Sequence, residues 1–217
     1  YGLVGSEMCI RDRKYGYNIG KCVDVDKLAN TVIDAYDIGY EHVKLYLITG
    51  FPHIDIEEEV KSLKNLLEKL KTIKKHRFVE ISLNILIPKP WTPYQYLPPS
   101  HVLENSSRIR AYRSVVKDYS VATLSTMDPR WGYIQAIISQ GNRRVSDIII
   151  ECTARGCTIR TFLELVERDE KTRNSVYSGW GENVPWAEVV DMGFNTKYLV
   201  NRFTYLMELK KRRPMYS

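Results

Sequence analysis

Apolar and polar residues follow one another along this chain of 217 residues in a pattern that predicts helices and strands in turn. Apolar residues at helical spacing, with an aspartate before the first turn and polar residues opposite, indicate amphipathic helices. Short apolar runs between them are typical of buried strands. The helices expected in the front part are residues 24–38, 55–75 and 100–118, and the expected strands are residues 43–48, 78–87 and 121–124.

Two predicted strands separated by a long helix form a βαβ unit. This places the front part in the α/β class, with a parallel sheet or barrel and helices outside it. In such folds the loops that leave the carboxyl ends of the strands carry the chemistry. We name them the glycine loop (residues 50–55) and the proline loop (residues 88–95).

The pattern after Met127 is mainly helical. The expected helices are residues 131–140, 145–154, 159–168 and 196–211, and residues 172–185 are rich in turn-forming residues that predict a mobile loop. We therefore expect an α/β region over residues 14–125 and a mainly helical region over residues 126–217.

The glycine loop can bring its backbone close to a ligand. Gly50 permits a positive φ, and Pro52 fixes the direction in which the chain leaves the strand. Main-chain groups at such a strand end can hydrogen-bond the edge of an adenine while Phe51 packs on its face. A plain turn between strand and helix is the alternative.

The proline loop holds three prolines, which keep the backbone extended and present Lys89, Trp91 and Gln95 at fixed angles. A cation beside an indole suits an anionic or planar ligand, such as a carboxylate, a phosphate or a base. In the alternative interpretation, the aromatic residues of this loop simply close the mouth of a barrel.

The segments KLYLITGFP (residues 44–52) and ILIPKPWTPYQ (residues 85–95) together resemble the fifth and sixth strands of radical S-adenosylmethionine (SAM) enzymes. The branch concerned includes the methylthiotransferases and radical SAM proteins with a cobalamin-binding front half. Its segments read K-L-Y-F-M-I-G-L-P and F-x-P-K-P-x-T-P-F-Q. Residues 127–149 are similar to the D-P-R-x-x-x-L-x-A-x-L-x-R-G-D-R-R stretch downstream of the barrel, so the resemblance covers residues 14–150.

The resemblance implies the C-terminal portion of an incomplete (β/α) radical-SAM barrel followed by a helical appendage. In the family these strand ends contact the adenine of SAM, and the matching positions here are Ile48, Thr49, Gly50, Phe51, Pro52, Ile87 and Pro88. Lys89, Trp91 and Gln95 would form the substrate rim. The family often has an acid two residues after the first proline, but this chain has Ile54 there and Asp55 next, so any contact of that acid stays open.

Radical SAM enzymes also hold a [4Fe–4S] cluster on a C-x-x-x-C-x-x-C triplet, because three thiolates leave one iron free for SAM. None of the four cysteines here has that spacing. Cys152 and Cys157 are interpreted as small apolar residues of one helix in a reducing cytosol. The histidines show no metal-ligand spacing either. We therefore expect no metal site in this chain, and no activity from it alone.

The front of the chain accounts for the missing cluster motif. Residues 1–13 look like the translated adapter of a sequencing library, so we expect the natural sequence to begin near Lys14 with its front half lost. The lost part would supply the cluster. It would also supply cobalamin binding, if this protein belongs to the members that carry that domain.

A net charge of +6, with 44% hydrophobic and 27% charged residues, describes a globular cytoplasmic protein with no membrane span. Four positive residues lie together at Lys210, Lys211, Arg212 and Arg213, which we name the basic tail. A solvated tail is the commoner explanation. The alternative function is a non-catalytic nucleic-acid-binding or scaffold module that uses this tail. The sequence predicts neither the substrate nor the oligomeric state.

Overall fold

The computed structural model describes residues 24–73, 77–193 and 195–211, with the backbone alone described at residues 210 and 211. The adapter-like segment, Cys9, Cys22 and the side chains of the basic tail therefore lie outside the described residues. The chain divides into two compact units. The first contains the residues up to Leu86 together with Asn105–Met127, and the second contains Ile87–Glu104 together with the residues from Asp128 onward.

This division differs from the predicted one in one respect. The proline loop was expected to belong with the sheet, but it lies in Ile87–Glu104 and so is part of the second, helical unit. The later junction follows Met127, close to the predicted boundary after residue 125.

The fold is mixed α/β, with helices predominant and one small sheet. In chain order the elements of the described residues are α1 (Val25–Asp37), β1 (Val43–Thr49), α2 (Ile56–Leu70), β2 (Val79–Ile85), α3 (His101–Glu104), α4 (Arg108–Val116), β3 (Ala122–Thr126), α5 (Pro129–Gln140), α6 (Arg143–Ala154), α7 (Ile159–Arg168), α8 (Glu170–Ser178) and α9 (Thr196–Lys211), with 3₁₀ turns at Pro93–Tyr96 and Pro185–Glu188.

The three strands form one sheet in the order β1-β2-β3, and both neighbouring pairs are parallel, which confirms the prediction of three parallel strands. Val43 faces Val79 at the start of the first pair, and Thr49 faces Ile85 at its end. The second strand is shorter than the predicted 78–87, because the chain leaves the ladder after Ile85. Even so, Leu86 still donates its backbone N–H to the Thr49 carbonyl (2.8 Å).

The two faces of the sheet differ. Alternate strand residues are buried with the leucines of α2 and form the core of the first unit: Leu45, Leu47, Ile81, Leu83, Leu63, Leu66, Leu67 and Leu70. The intervening residues of β1 and β2 are half-buried and mostly polar, and we name them the polar face: Lys44, Tyr46, Ile48, Glu80, Ser82 and Asn84. On this face Lys44 Nζ lies 2.7 Å from Glu80 Oε1, to which the Ser125 hydroxyl of β3 also donates (3.1 Å). The strands therefore bury one face only.

The first two helices, α1 and α2, begin within one residue of their predicted starts and end earlier. Asp24 caps α1, since its carboxylate accepts from the backbone N–H groups of Asp26 (2.9 Å) and Lys27 (3.3 Å). α2 follows Asp55 and ends at Leu70, before the predicted Lys75.

The prediction of one helix over residues 100–118 is wrong. The structure has two helices, α3 and α4, with Asn105, Ser106 and Ser107 between them. Short polar side chains offer the backbone other hydrogen-bond partners and therefore disfavour helix interiors. The first unit resumes at Asn105, so the helix break is also a junction between the units.

The second unit contains the four predicted helices, as α5, α6, α7 and α9. The mobile loop predicted at residues 172–185 is wrong for its first half, which lies in α8. Asp169 caps this helix by accepting from the Thr172 backbone N–H (2.8 Å), and the side chains of Thr172 and Val176 are buried. A largely polar stretch thus forms a helix, because one of its turns is buried and holds the helix in place.

The prediction for the cysteines is also wrong, because Cys152 and Cys157 form a disulfide with their Cα atoms 4.6 Å apart. They do not share one helix as expected. α6 ends at Ala154, and Gly156, with φ +71°, turns the chain so that Cys157 returns to Cys152. A left-handed turn at a helix end favours glycine. Cys152 is buried, whereas Cys157 is exposed.

Candidate functional site

The carboxyl ends of β1 and β2 lie side by side, as the sequence argument requires. The glycine loop leaves β1 through Gly50, whose φ of +90° strongly favours glycine. A Cβ atom added to Gly50 would lie 3.3 Å from both Ile85 Cγ2 and Asn105 Cβ. Both the backbone conformation and the packing inside the first unit therefore require glycine here, apart from any ligand.

A buried carboxylate lies directly behind this loop. Glu59, in the first turns of α2, is 6% exposed, and its Oε2 accepts a hydrogen bond from the Thr49 hydroxyl (2.5 Å). The Arg108 guanidinium lies 3.1 Å from the same oxygen, and the Tyr112 phenol donates to it at 3.3 Å. We name these four residues the carboxylate cluster.

The carboxylate cluster holds the glycine loop in place. Arg108 Nη2 donates to the carbonyl of Ile54 at 2.8 Å, so one guanidinium joins this loop to Glu59. A buried carboxylate is tolerated when an opposite charge and hydrogen bonds compensate its lost hydration. Burial, followed by the negative charge of Glu59, raises the pKa of Tyr112 well above its ordinary value, so the phenol stays protonated.

The carboxylate cluster was not predicted, although the sequence contains a signal for it. Glu57, Glu58 and Glu59 resemble an exposed acidic first turn that complements the helix dipole. Only Glu59 lies four residues before Leu63 and seven before Leu66, so it falls on the buried stripe of α2. A charge on an apolar stripe predicts a buried partner, which here is Arg108.

The structure restricts what the predicted SAM-contacting residues of the first unit can do. The residues Thr49, Gly50 and Phe51 are buried, and Phe51 makes an edge contact with the His53 ring (6.1 Å between centroids). Phe51 therefore packs on its own unit and not on an open face. Ile48 and Pro52 are half-buried. Any adenine contact at this strand end falls to their side chains and to main-chain atoms.

Some of those main-chain atoms already have partners. The carbonyl of Thr49 accepts from Leu86, and the carbonyl of Phe51 accepts from the backbone N–H of Ile54 (3.1 Å). The backbone of the glycine loop is therefore fixed by hydrogen bonds within the first unit.

The proline loop is fixed within the second unit by side chains from other elements. Oε1 of Gln95 accepts from the backbone N–H of Trp91 (2.8 Å) and from the Trp186 indole (2.8 Å). The side-chain amide of Gln140, in α5, donates to the backbone carbonyls of Gln95 (2.8 Å) and Leu97 (3.2 Å). The Trp180 indole in turn donates to the backbone carbonyl of Gln140 (2.9 Å). We name Gln95, Gln140, Trp180 and Trp186 the amide cluster.

The three residues predicted for the substrate rim occupy different environments. Lys89 is exposed and Trp91 is half-buried, with a positive φ of +59° that is unusual for a residue other than glycine. Gln95 is fully buried, so the expectation that its side chain is presented at an open rim is corrected: it holds the loop from inside. The two residues of this segment that were predicted to contact SAM also differ in exposure: Ile87 is half-buried and Pro88 is buried.

Within the described residues, no group of three or more histidine, cysteine or acidic side chains could hold a metal ion. None of the helices in that part of the chain is both long enough and apolar enough to cross a membrane.

Comparison with known proteins gives limited information. No family model matches the chain, and no solved structure gives a significant match. Over 68 residues the chain is 43% identical to the uncharacterized protein MJ0966 of Methanocaldococcus jannaschii. That segment is 31% of this chain and spans only 15% of the length of the archaeal protein.

Proposed function

We propose that this chain is the back half of a radical SAM enzyme and contributes part of its SAM pocket and substrate rim. The observation that carries the proposal is the polar face of a parallel sheet whose strand ends are aligned. Parallel sheets are normally covered on both faces. This sheet has one polar, half-buried face. A section of a barrel has such a face when the face lines the barrel interior and a polar ligand binds there.

The residues of the first unit fit the adenine end of SAM. Ile48 is half-buried on the polar face, at the carboxyl end of β1, and can pack against a planar ring. The carboxylate cluster keeps the backbone of the glycine loop in position beside Ile48. Ile87 and Pro88 belong to the second unit, and the sequence resemblance alone assigns them to SAM.

The residues do not fit the iron–sulfur cluster. Cys152 and Cys157 are bonded to each other and do not have the required spacing. The cluster, which supplies the radical chemistry together with SAM, would therefore be held by another part of the parent protein, and cobalamin likewise if that protein uses it. We expect this chain to remain colourless after anaerobic reconstitution with iron and sulfide. Binding of about four irons per chain, with broad visible absorption, would contradict this assignment.

The proposal is tested in the longer reading frame, which should contain the C-x-x-x-C-x-x-C triplet. In that protein Ile48→Arg should lower the release of 5′-deoxyadenosine about tenfold or more, because a long cation would occupy the adenine position. The matched control is Asn65→Arg, which puts the same residue on an exposed position of α2 instead of on the polar face. Equal losses in the two variants would reject the assignment of the strand end to SAM.

Lys89→Ala gives a second measurement in the same protein. Lys89 is assigned to the substrate rim, so its removal should leave the release of 5′-deoxyadenosine in the absence of substrate nearly unchanged. If that release were abolished, Lys89 would belong to the SAM pocket, and the division of roles between the two loops would be wrong.

A further inference from the structure

The last helix of the second unit has two distinct faces. Leu199 and Leu206 of α9 are buried, and the Phe203 ring contacts the ring of Tyr96 at 5.5 Å between centroids. A different face shows two large aromatic side chains to solvent, with Tyr198 64% exposed and Tyr205 40% exposed. The apolar residues of α9 therefore pack inward, and its tyrosines remain accessible.

The accessible face also contains a cation between its aromatic residues. Tyr198, Arg202 and Tyr205 have the spacing i, i+4, i+7, which aligns them along one side of a helix over about 10 Å. The Arg202 guanidinium lies 5.3 Å from the centre of the Tyr205 ring, within the range of a cation–π contact. We name these three residues the tyrosine face.

The surrounding charge is positive. α9 contains Lys197, Arg202, Lys210 and Lys211 against the single acid Glu208, so its formal charge is +4 − 1 = +3. Two further arginines follow in the sequence. Positive charge attracts phosphates, and exposed aromatic rings offer stacking surfaces to bases that are not paired.

We propose that the tyrosine face of α9 binds single-stranded nucleic acid, with bases stacked on Tyr198 and Tyr205 and with Arg202 and the exposed Lys197 on the phosphates. This inference does not depend on the proposed enzymatic function. A helix that binds a membrane surface turns its large aliphatic residues outward, whereas Leu199, Phe203 and Leu206 are turned inward. Tyrosine and arginine are also enriched in protein–protein interfaces, but the formal charge of +3 on α9 favours a polyanion.

The test measures the fluorescence anisotropy of labelled 12-nucleotide oligouridylate and oligothymidylate titrated with the full 217-residue chain. Tyr198→Ala combined with Tyr205→Ala should weaken binding roughly tenfold or more, as expected when stacking is lost. Tyr198→Phe combined with Tyr205→Phe should bind like the parent, because the ring stacks and the hydroxyl is not required. Trp131→Ala removes an aromatic residue with 54% exposure elsewhere in the second unit, and should have no effect.

The ionic part of the proposal has its own measurement. Replacing Lys197 and Arg202 with glutamine should reduce the slope of log K against log salt by about 0.7 for each lost phosphate contact. The double tyrosine-to-alanine variant should keep the parent slope. A preference for either oligonucleotide supports the proposal.

Four results would overturn it. These are absence of oligonucleotide binding by the parent chain, equal weakening in Trp131→Ala, equally tight binding of a double-stranded oligonucleotide of the same length, and binding to phosphatidylserine vesicles in place of oligonucleotide. Circular dichroism of each variant shows whether α9 remains helical, so that loss of binding is assigned to the missing rings.

Discussion

The two loops that follow β1 and β2 are both held from behind by buried polar groups, but the chemistry of the two clusters differs. The glycine loop depends on the carboxylate cluster, in which a full negative charge is matched by a full positive charge. The proline loop depends on the amide cluster, in which every partner is neutral. Glycine provides the positive φ in the first loop, and Trp91 provides it in the second.

The difference predicts different sensitivities. Removing one member of a buried ion pair leaves an uncompensated charge, whereas removing a neutral amide leaves unsatisfied dipoles that cost less. The carboxylate cluster should therefore respond more strongly to mutation, and it also contains a phenol that can ionise. The amide cluster should respond moderately and should not depend on pH.

The largest effect is expected from Arg108→Met, which leaves Glu59 buried without its cation. The free energy of unfolding should fall by about 3–5 kcal/mol, measured by urea denaturation. Adding Glu59→Gln to this variant should restore part of the loss, since the stranded charge is then removed. A loss of only about 1 kcal/mol in the single variant would show that the pair behaves like a surface ion pair.

Gly50→Ala should lower the free energy of unfolding by about 2–3 kcal/mol, because alanine disfavours the positive φ and its Cβ would press on Ile85 and Asn105. Gly39→Ala is the matched control, because Gly39 has φ +108° but nothing lies within 4 Å of an added Cβ. The free energy of unfolding should fall by about 1 kcal/mol less in Gly39→Ala than in Gly50→Ala. Equal losses would mean that the backbone conformation alone decides the effect.

Gln95→Leu tests the amide cluster and should cost about 1–2 kcal/mol, because the Trp91 backbone N–H and the Trp186 indole lose their acceptor. Gln135→Leu on the exposed side of α5 is the control and should be nearly neutral. If Gln95→Leu were as severe as Arg108→Met, the contrast between charged and neutral clusters would not hold.

The smallest effect is expected from Tyr112→Phe at neutral pH, a loss of about 1 kcal/mol or less. Because the folded state raises the pKa of Tyr112, its contribution to stability is present below the unfolded pKa and is lost as the pH rises through the folded one. Stability should therefore fall less steeply above about pH 10 in Tyr112→Phe than in the parent chain. The difference between Gln95→Leu and the parent should stay constant over the same range.

The sequence predicts the parallel sheet and most helices because their apolar periodicity is local and strong. It fails where a distant contact decides the outcome. Thr172 and Val176 turn a polar stretch into a helix through burial, and Gly156 brings two cysteines together that spacing alone assigned to one helix. For the candidate site, the strand ends are predictable from composition, but the partner of Glu59 is 49 positions away along the chain (108 − 59 = 49).

The proline loop shows the same limit. Its prolines suggest a stiff segment that presents its side chains outward, and Lys89 agrees with this description. Gln95 does not, because residues from α5 and from the turn after α8 surround it. No sequence pattern within the loop itself predicts that Gln95 is buried by residues from other elements.

The way in which the backbone passes between the two units has a consequence for how this molecule can be divided. The chain crosses after Leu86, after Glu104 and after Met127. A single protease cut at any one crossing would leave the two pieces associated, because at least one unit would still contain segments of both pieces. For the same reason, a recombination event with one crossover could not exchange either unit intact. The sheet and the helical region can be deleted or replaced only through changes at more than one place along the chain.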